Sequence, residues 1–255
     1  MLKENRVKQI LTLLKQNGEV QINTLCRSCN VTEMTIRRDL DELAAQGALI
    51  RTHGGAVLVG EDLLVERPFE KRLDENMEQK EKIAQKALEM IRSGMKIVLD
   101  SGSTTYYLAR ILPGTYRLAV LTNALNIATE LSHRTNIDVT FVGGELKKNT
   151  MACVGSYTTE MLKRFSVDIA FLGSSGISHQ GSFYTATSAQ VEVKVSMMQI
   201  ADKKVLLADA SKFRKKDYAY FAQSADFDCL VTSGGIPAET ERILRESELE
   251  LFVIE

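Results

Sequence analysis

The sequence predicts an α/β chain in two parts. A small N-terminal bundle of three helices is closed by a β-hairpin, and a larger domain follows with a mostly parallel sheet covered by helices. Three observations carry this. Apolar residues recur at helical spacing at Val7, Ile10, Leu11 and Leu14 and again at Ile36, Leu40 and Leu43. Two short apolar runs flank Gly54-Gly55. Farther on, apolar runs of strand length alternate with helical stretches, the pattern of parallel strands joined by crossovers.

In chain order, the first helix covers Val7 to Leu14 and stops at Asn17-Gly18, residue types suited to a left-handed cap. A second short helix fits Ile22 to Ser28, with Asn30 in the turn behind it. Thr32 is a good N-cap for a third helix running to Gln46, and Gly47 ends it. Ala48-Leu49-Ile50 and Ala56-Val57-Leu58-Val59 form the hairpin. Three helices with this hairpin make a winged helix-turn-helix, assigned to residues 1–59. The acidic stretch 60–78, with Pro68, is read as a linker, and residues 79–255 as the second domain. There a helix fits Gln79–Arg92. Strands fit Lys96–Asp100, Leu118–Leu121, Asp138–Val142, Asp168–Gly173, Lys203–Ala208, Cys229–Thr232 and Leu251–Ile254. Helices between them fit Thr104–Ile111, Ala124–Ser132, Thr159–Phe165, Ser188–Ile200 and Glu239–Glu246.

Composition narrows the class. The 255 residues are 44% hydrophobic and 25% charged, ample for a packed core. No apolar run approaches the roughly 18–20 residues that span a bilayer. No secretion signal is visible in Met1-Leu2-Lys3-Glu4-Asn5-Arg6, and the four cysteines form no disulfide-like framework, so a cytoplasmic location is expected. The net charge of −1 argues against a nucleic-acid binder until the chain is divided: residues 1–60 carry +2 and the remainder −3. That asymmetry permits a DNA-binding head.

On a helical wheel, Ile36, Leu40 and Leu43 face the small core. Met34 and Arg38 lie opposite, flanked by Thr35 and Arg37. These first turns are where a recognition helix presents side chains to base edges. Arg38 is the first choice for a base contact, since a guanidinium pairs bidentately with guanine. Arg37 suits a phosphate, as does the Thr32 hydroxyl at the helix N-terminus. Arg51, Thr52 and His53 at the hairpin tip are placed along the DNA backbone or minor groove. An Arg-Arg pair is ordinarily a solvated face paired at i+4, here with Asp41 and Glu42, but the caps, the core face and the hairpin agree on a DNA reader. Asp39, beside the core face, is expected to be a structural ion-pair or hydrogen-bond partner. Cys26-Arg-Ser-Cys29 lacks further ligands at metal spacing, so no metal site is assigned.

In the second domain, Asp100-Ser101-Gly102-Ser103-Thr104-Thr105 follows a strand and opens a helix. Small residues, hydroxyls and free N–H groups there suit a phosphate. It is not a Walker loop, because the Lys and the Gly spacing are absent. Thr122-Asn123, Gly143-Gly144-Glu145 and Gly173-Ser174-Ser175-Gly176 end other strands, and in an open parallel sheet such turns gather at one edge. Lys212 adds a positive charge to that edge. The set suits a phosphorylated sugar or polyol better than an apolar ligand.

These segments resemble a known family. Arg6-x3-Ile10-x3-Leu14 and Thr32-Glu-Met-Thr35-Ile36-Arg37-Arg38-Asp39-Leu40 are similar to the DeoR-type helix-turn-helix signature, and Arg51-Thr52-His53-Gly54-Gly55-Ala56 to its wing. Residues 76–232 resemble the DeoR-type sensor domain, through Leu99-Asp100-Ser101-Gly102-Ser103-Thr104-Thr105, Thr122-Asn123, Val142-Gly143-Gly144-Glu145-Leu146, Phe171-Leu172-Gly173 and Leu207-Ala208-Asp209-Ala210-Ser211-Lys212. The resemblance implies a fold shared with ribose-5-phosphate isomerase and glucosamine-6-phosphate deaminase, and sugar-phosphate effectors that control DNA binding. Three positions depart from it. Gln21 replaces the usual Ser or Thr cap of the second helix, which should cost stability. Gln190 and Val195 stand where the family commonly has an acid and a basic residue, which bears on effector identity.

The rival reading is a sugar-phosphate isomerase or deaminase carrying a DNA-binding head. Isomerisation needs a general base near the reacting carbon. In the isomerase relatives the strand like Asp168–Gly173 runs into an acidic turn, whereas here the turn is Ser174-Ser175-Gly176. His53, His133 and His179 are in the wing, at a helix end and in a loop. Asp100 and Asp209 are better read as binding sugar hydroxyls. No catalytic residue and no cofactor is therefore assigned. The expected function is a transcriptional repressor of a sugar or polyol operon. It would bind double-stranded operator DNA as a homo-oligomer, dimer or tetramer, without membrane contact, and a phosphorylated metabolite would release it.

Overall fold

The computed structural model describes residues 2–17, 19–45, 48–52, 54–58, 68–214 and 216–255. Gly18, Gln46, Gly47, His53, Val59 and residues 60–67 of the expected linker lie outside the described residues. The chain forms two compact units, Met1–Leu63 and Leu64–Glu255.

The first unit contains α1 (Lys3–Asn17), β1 (Glu19–Gln21), α2 (Ile22–Cys29), α3 (Glu33–Ala45), β2 (Leu49–Thr52) and β3 (Gly55–Leu58). Its core joins Ile10 and Leu14 of α1, Ile22 and Leu25 of α2, and Ile36, Leu40 and Leu43 of α3. Each such side chain fully buried contributes about 1.5–3 kcal/mol. Asn30 takes up the left-handed conformation (φ 51°) that ends α2, and the following Val31 N–H reaches the Cys26 carbonyl. Gln21 makes no side-chain cap; instead the Gly54 carbonyl accepts the Ile22 N–H at 2.9 Å, so the wing supplies part of what the side chain does not.

Two expectations need correction here. The expected elements do not include β1, which is short but pairs antiparallel with β3 to make the wing three-stranded. Gly55 is also not a turn residue: it belongs to β3 and pairs with both Thr52 and Gln21. A Cβ at Gly55 would lie 1.9 Å from the Val20 carbonyl oxygen, so the strands approach too closely for any side chain. Gly55→Ala is expected to cost the first unit about 1–3 kcal/mol as β1 is pushed aside. Urea unfolding of the full chain checks this; an unchanged transition would mean that β1 shifts freely.

The second unit opens with α4 (Phe69–Asp74) and α5 (Met77–Leu88). Residues 69–74 and 77–78 of the expected linker are therefore helical; Pro68 precedes the first residue of α4, a position that needs no N–H. Then come β4 (Lys96–Leu99), α6 (Ser103–Ile111), β5 (Leu118–Thr122), α7 (Leu125–Leu131) and β6 (Ile137–Phe141). A hairpin, β7 (Glu145–Lys147) and β8 (Ala152–Val154), leads into α8 (Ser156–Leu162) and β9 (Val167–Gly173). They are followed by β10 (Gly176–Ile177), β11 (Ser182–Thr185), α9 (Ser188–Gln199), β12 (Ala201–Ala208) and β13 (Ala219–Gln223). The chain closes with β14 (Cys229–Ser233), α10 (Ala238–Glu246) and β15 (Glu250–Ile254).

Seven strands form one parallel sheet in the order β15-β14-β12-β9-β4-β5-β6. They are the seven strands expected from the sequence. Alternate residues enter two cores: Ile97, Leu99, Phe171 and Leu207 pack with α5, α6 and α7, while Val98, Ala170, Leu172 and Leu206 pack with α9 on the other face. Cys229 lies in the first of these cores, and burial pushes its thiol up to about 12. A small antiparallel sheet, β10-β11-β13, adds to the second. No described helix is long and apolar enough to cross a membrane.

The strand order sets the site. From β4 the chain moves outward through β5 and β6, returns to β9 on the other side of β4, and continues outward through β12, β14 and β15. The direction reverses between β4 and β9. In open parallel sheets, ligands bind in the crevice outside the carboxyl ends of strands at such a switch point.

Candidate functional sites

In the first unit, α3 is held from beneath by a buried ion pair. Arg6 of α1 grips Asp39 with two hydrogen bonds, one of 3.0 Å from Nη2 to Oδ1 and a second from Nε to Oδ2. Asp39 is 2% exposed and Arg6 8%. The structural role expected of Asp39 is what the geometry gives it. With that side anchored, α3 presents Met34 and Arg38 outward, at 81% residue and 82% side-chain exposure respectively. Arg38 reaches only a loose pairing with Glu42, 3.4 Å away. Arg37 turns back to Glu33, with Nε and Nη2 at 2.8 and 2.6 Å from Oε1. Both partners are solvent-exposed, so either arginine can exchange its carboxylate for a phosphate or base at little cost. The Thr32 and Thr35 hydroxyls lie 3.0 Å apart at the helix start.

The wing differs from expectation. Arg51 donates from Nε to Asp41 at 2.7 Å and from Nη1 to the Gly55 carbonyl at 2.8 Å. Its guanidinium thus braces the wing against α3 instead of projecting from the tip. Thr52 is exposed, and His53 is outside the described residues. Cys29 is buried in the bundle core, and Cys26 packs against it.

In the second unit the switch point is built around Asp100, which follows β4 and is 2% exposed. Its Oδ2 accepts the Gly173 N–H at 3.0 Å, and it forms an ion pair with Lys194 of α9. Lys194, 5% exposed, also donates to the Gly173 carbonyl at 2.8 Å and lies 5.2 Å from the Phe221 ring centre. Lys194 was not among the residues expected at the site. The available signal was its place as the one basic residue of Ser188–Ile200.

This pair settles an electrostatic problem. A helix N-terminus attracts an anion, but a lone carboxylate just before α6 would repel it. Lys194 and the Gly173 N–H neutralise Asp100, leaving the start of α6 electrostatically open to an anion. Ser101 and Gly102 are half-buried there, and Ser103 and Thr104 are buried beside them. Thr105 is turned inward, donating to the Asp100 carbonyl at 2.6 Å, so its hydroxyl secures the turn and does not face a ligand.

The remaining turns divide by role. Thr122 Oγ1 donates to the Leu99 carbonyl and accepts the Ala124 N–H. Asn123 donates to the Cys153 carbonyl at 2.8 Å and accepts the Cys153 N–H. Thr122 thus ties the end of β5 to the end of β4, and Asn123 fastens β8 beside them. The Gly143 carbonyl accepts the Thr158 hydroxyl, and a Cβ at Gly144 (φ 153°) would lie 2.0 Å from that oxygen. Glu145 is exposed and paired with Lys147 at 2.6 Å. These residues build the β7-β8 hairpin, a local structural job that the sequence grouped with the ligand turns. In the turn after β9, Ser174 donates to the carbonyls of Gly176 and Tyr184, with no carboxylate in Ser174-Ser175-Gly176. His133 and His179 are exposed.

After β12, Asp209 is fully buried. Its Oδ1 accepts from Asn76 Nδ2 at 3.1 Å and from the Ser211 N–H at 3.0 Å, and Lys212 Nζ is 3.8 Å from Oδ2. The Asp209 carboxylate thus orients Lys212 and the turn. Lys80, 1% exposed, feels the charge of both. A cavity of about 240 Å³ opens near the ends of β14 and β15. Its wall carries Glu78 and Glu255 against the single cation Lys82, which Glu78 already pairs, so it does not favour a phosphate. Among the described residues there is no group of three or more His, Cys, Asp or Glu able to hold a metal ion.

Comparison with known proteins gives both units a family. Residues 6–61 match the model of the DeoR-like helix-turn-helix domain, and residues 75–234 the model of the DeoR C-terminal sensor domain. The glycerol-3-phosphate regulon repressor of Escherichia coli (strain K12) is 31% identical over 98% of this chain and 99% of that protein. The lactose phosphotransferase system repressor of Lactococcus lactis subsp. lactis is 33% identical over 92% and 93%. These matches are to transcriptional regulators and not to enzymes. Among solved structures, ribose 5-phosphate isomerase A of Methanocaldococcus jannaschii superposes with a TM-score of 0.41 at 20% identity, covering 54% of this chain and 55% of that one. At that score no residue correspondence follows.

Proposed function

Because the chain belongs to the DeoR family of helix-turn-helix regulators, we propose that it represses a sugar or polyol catabolic operon and is released by a phosphorylated metabolite. The first unit reads double-stranded operator DNA in the cytoplasm. Met34, Thr35 and Arg38 face the base edges, Thr32 and Arg37 the phosphates, and Thr52 and His53 the flanking backbone. Arg51 acts by bracing the wing. One short recognition helix makes few base contacts, so two heads of a homo-oligomer engage paired half-sites.

The second unit binds the metabolite at the switch point between β4 and β9. The observation that carries this reading is the neutralised Asp100 at the start of α6. It combines with the hydroxyls of Ser101, Ser103 and Thr104, the backbone at Gly102 and Gly173, and the Lys212 ammonium set by Asp209. Thr105, Thr122, Asn123, Gly143, Gly144 and Glu145 support these turns without touching the ligand. The names of two relatives, for glycerol-3-phosphate and for a phosphotransferase system, fit a phosphorylated effector. Release requires the ligand to bind one conformation of the chain better than the other.

Arg38→Ala is expected to weaken operator binding by about 5- to 150-fold and to relax preference at one base position. Selection of bound sequences from a randomised DNA pool, with wild type and variant in parallel, measures both. An unchanged consensus and affinity would remove Arg38 from the base-reading role.

A further inference from the structure

Beside Asp209 the second unit holds polar groups that the proposed ligand site does not use. The buried Lys80 ammonium donates to the carbonyls of Arg72 and Glu75, the last turn and the C-cap of α4. Carbonyls at a helix end lack intrahelical partners, so Lys80 caps α4 from within α5. Asn76, between the two helices, is held in the left-handed region (φ 51°) and donates to Asp209 at 3.1 Å. Gln79 accepts from Ser233 at the end of β14, 3.0 Å away. Tyr107 of α6 donates to the Leu73 carbonyl at 3.3 Å, and Phe69 stacks edge-on against Tyr106 of the same helix. Residues 69–80 therefore touch the turn after β12, the end of β14, and the helix whose N-terminus forms the anion site. They are also among the first described residues after the chain leaves the first unit.

We propose that residues 69–80 form an elbow that relays ligand occupancy towards the DNA reader, with Lys80 as the positioning residue that responds to the ligand's charge. This inference rests on the reading of the carboxyl edge of the sheet as a phosphoester site. The charges facing Lys80 come from Asp209 and Lys212 after β12, Arg72 of α4, and Glu75 between the helices. Burial is the largest influence and brings the ammonium down to about 8; Asp209 and Glu75 oppose that fall, and Lys212 and Arg72 add to it. A phosphoester dianion drawn to Lys212 adds negative charge on the Asp209 side. It favours the protonated Lys80 and so tightens its hold on the Arg72 and Glu75 carbonyls. The response should be largest near pH 8 and small below about pH 6.5, where Lys80 is charged with or without ligand.

Hydrogen exchange of the full chain near pH 8 tests the relay, with sn-glycerol 3-phosphate and inorganic phosphate as probes. Wild type should gain protection both in the ligand turns, 100–105 and 209–212, and in the elbow, 69–80. Lys80→Met should keep the first and lose the second. Asn76→Gly, which preserves the left-handed backbone and removes only the amide to Asp209, should do the same and guards against misfolding of the first variant. Titration calorimetry in buffers of different ionisation enthalpy should show proton uptake on binding in wild type and none in Lys80→Met. Protection of the turns without the elbow, or an elbow response unchanged in both variants, would overturn the relay and leave the ligand site standing. No protection anywhere with either probe would overturn the ligand site itself, and the relay with it.

Discussion

Lys194→Met is expected to destabilise the second unit by on the order of 3–5 kcal/mol, because it strands a buried carboxylate at the carboxyl edge of the sheet. Asp100 is 2% exposed and would keep one hydrogen bond, from the Gly173 N–H. Stability and binding can be separated. Adding Asp100→Asn to Lys194→Met removes the uncompensated charge while an amide oxygen can still accept the Gly173 N–H. The double variant should regain most of the lost stability, since replacing both members of a buried pair is far milder than breaking it. It should also regain phosphoester affinity, which the single variant loses to the bare carboxylate before α6. Urea unfolding and calorimetric titration with a phosphoester, run on the three proteins, check both parts. Equal affinity in wild type and Lys194→Met would show that Asp100 does not face the ligand's charge.

Arg6→Met should have the corresponding effect on the first unit, on the order of 3 kcal/mol, by leaving Asp39 unpaired under α3. A domain of about 60 residues is marginal to begin with, so a large part of the first unit's stability should go and operator binding should fall with it. The second unit has its own core and should be untouched. Two separated urea transitions, with only one displaced, are the expected record. Arg6→Met combined with Asp39→Leu should recover most of the loss. A single displaced transition would mean that the two units unfold together.

How far the sequence alone reaches depends on the distance over which each interaction acts. The seven strands of the large sheet are legible because parallel strands buried on both faces read as continuous apolar runs, and Leu206-Leu207 fill opposite cores. The recognition helix is equally legible, since Ile36, Leu40 and Leu43 mark its inner face. The short strands β1, β7, β8, β10, β11 and β13 are not: two to five residues each, they carry too little alternation to stand out. α4 is hidden for a related reason, its acidic flank and Pro68 imitating a linker. The charges show the same division. Arg38 could be placed by its own helix, whereas the partners of Asp39 and Asp100 stand 33 and 94 residues away in sequence. Lys80 left a trace that can be read in retrospect. It occupies the apolar stripe of α5 with Ile83, Ala84 and Ala87, where a lysine must find partners or lose its charge. The turns grouped as ligand contacts share one ambiguity: Ser, Thr, Asn and Gly serve equally to bind a ligand and to fasten neighbouring strands, and the bonds that Thr122, Asn123 and Gly143 make to Leu99, Cys153 and Thr158 are long-range in sequence.

Phosphoester binding in the second unit should release DNA from the first, and one measurement tests this directly. Operator fragments recovered by selection provide the DNA, and a panel of phosphorylated sugars and polyols, each paired with its unphosphorylated parent, provides the ligands. At least one phosphoester should dissociate the complex, its parent should not, and Lys212→Ala should bind DNA normally yet no longer respond. Release by the unphosphorylated compound as readily as by the phosphoester, or a normal response from Lys212→Ala, would contradict this.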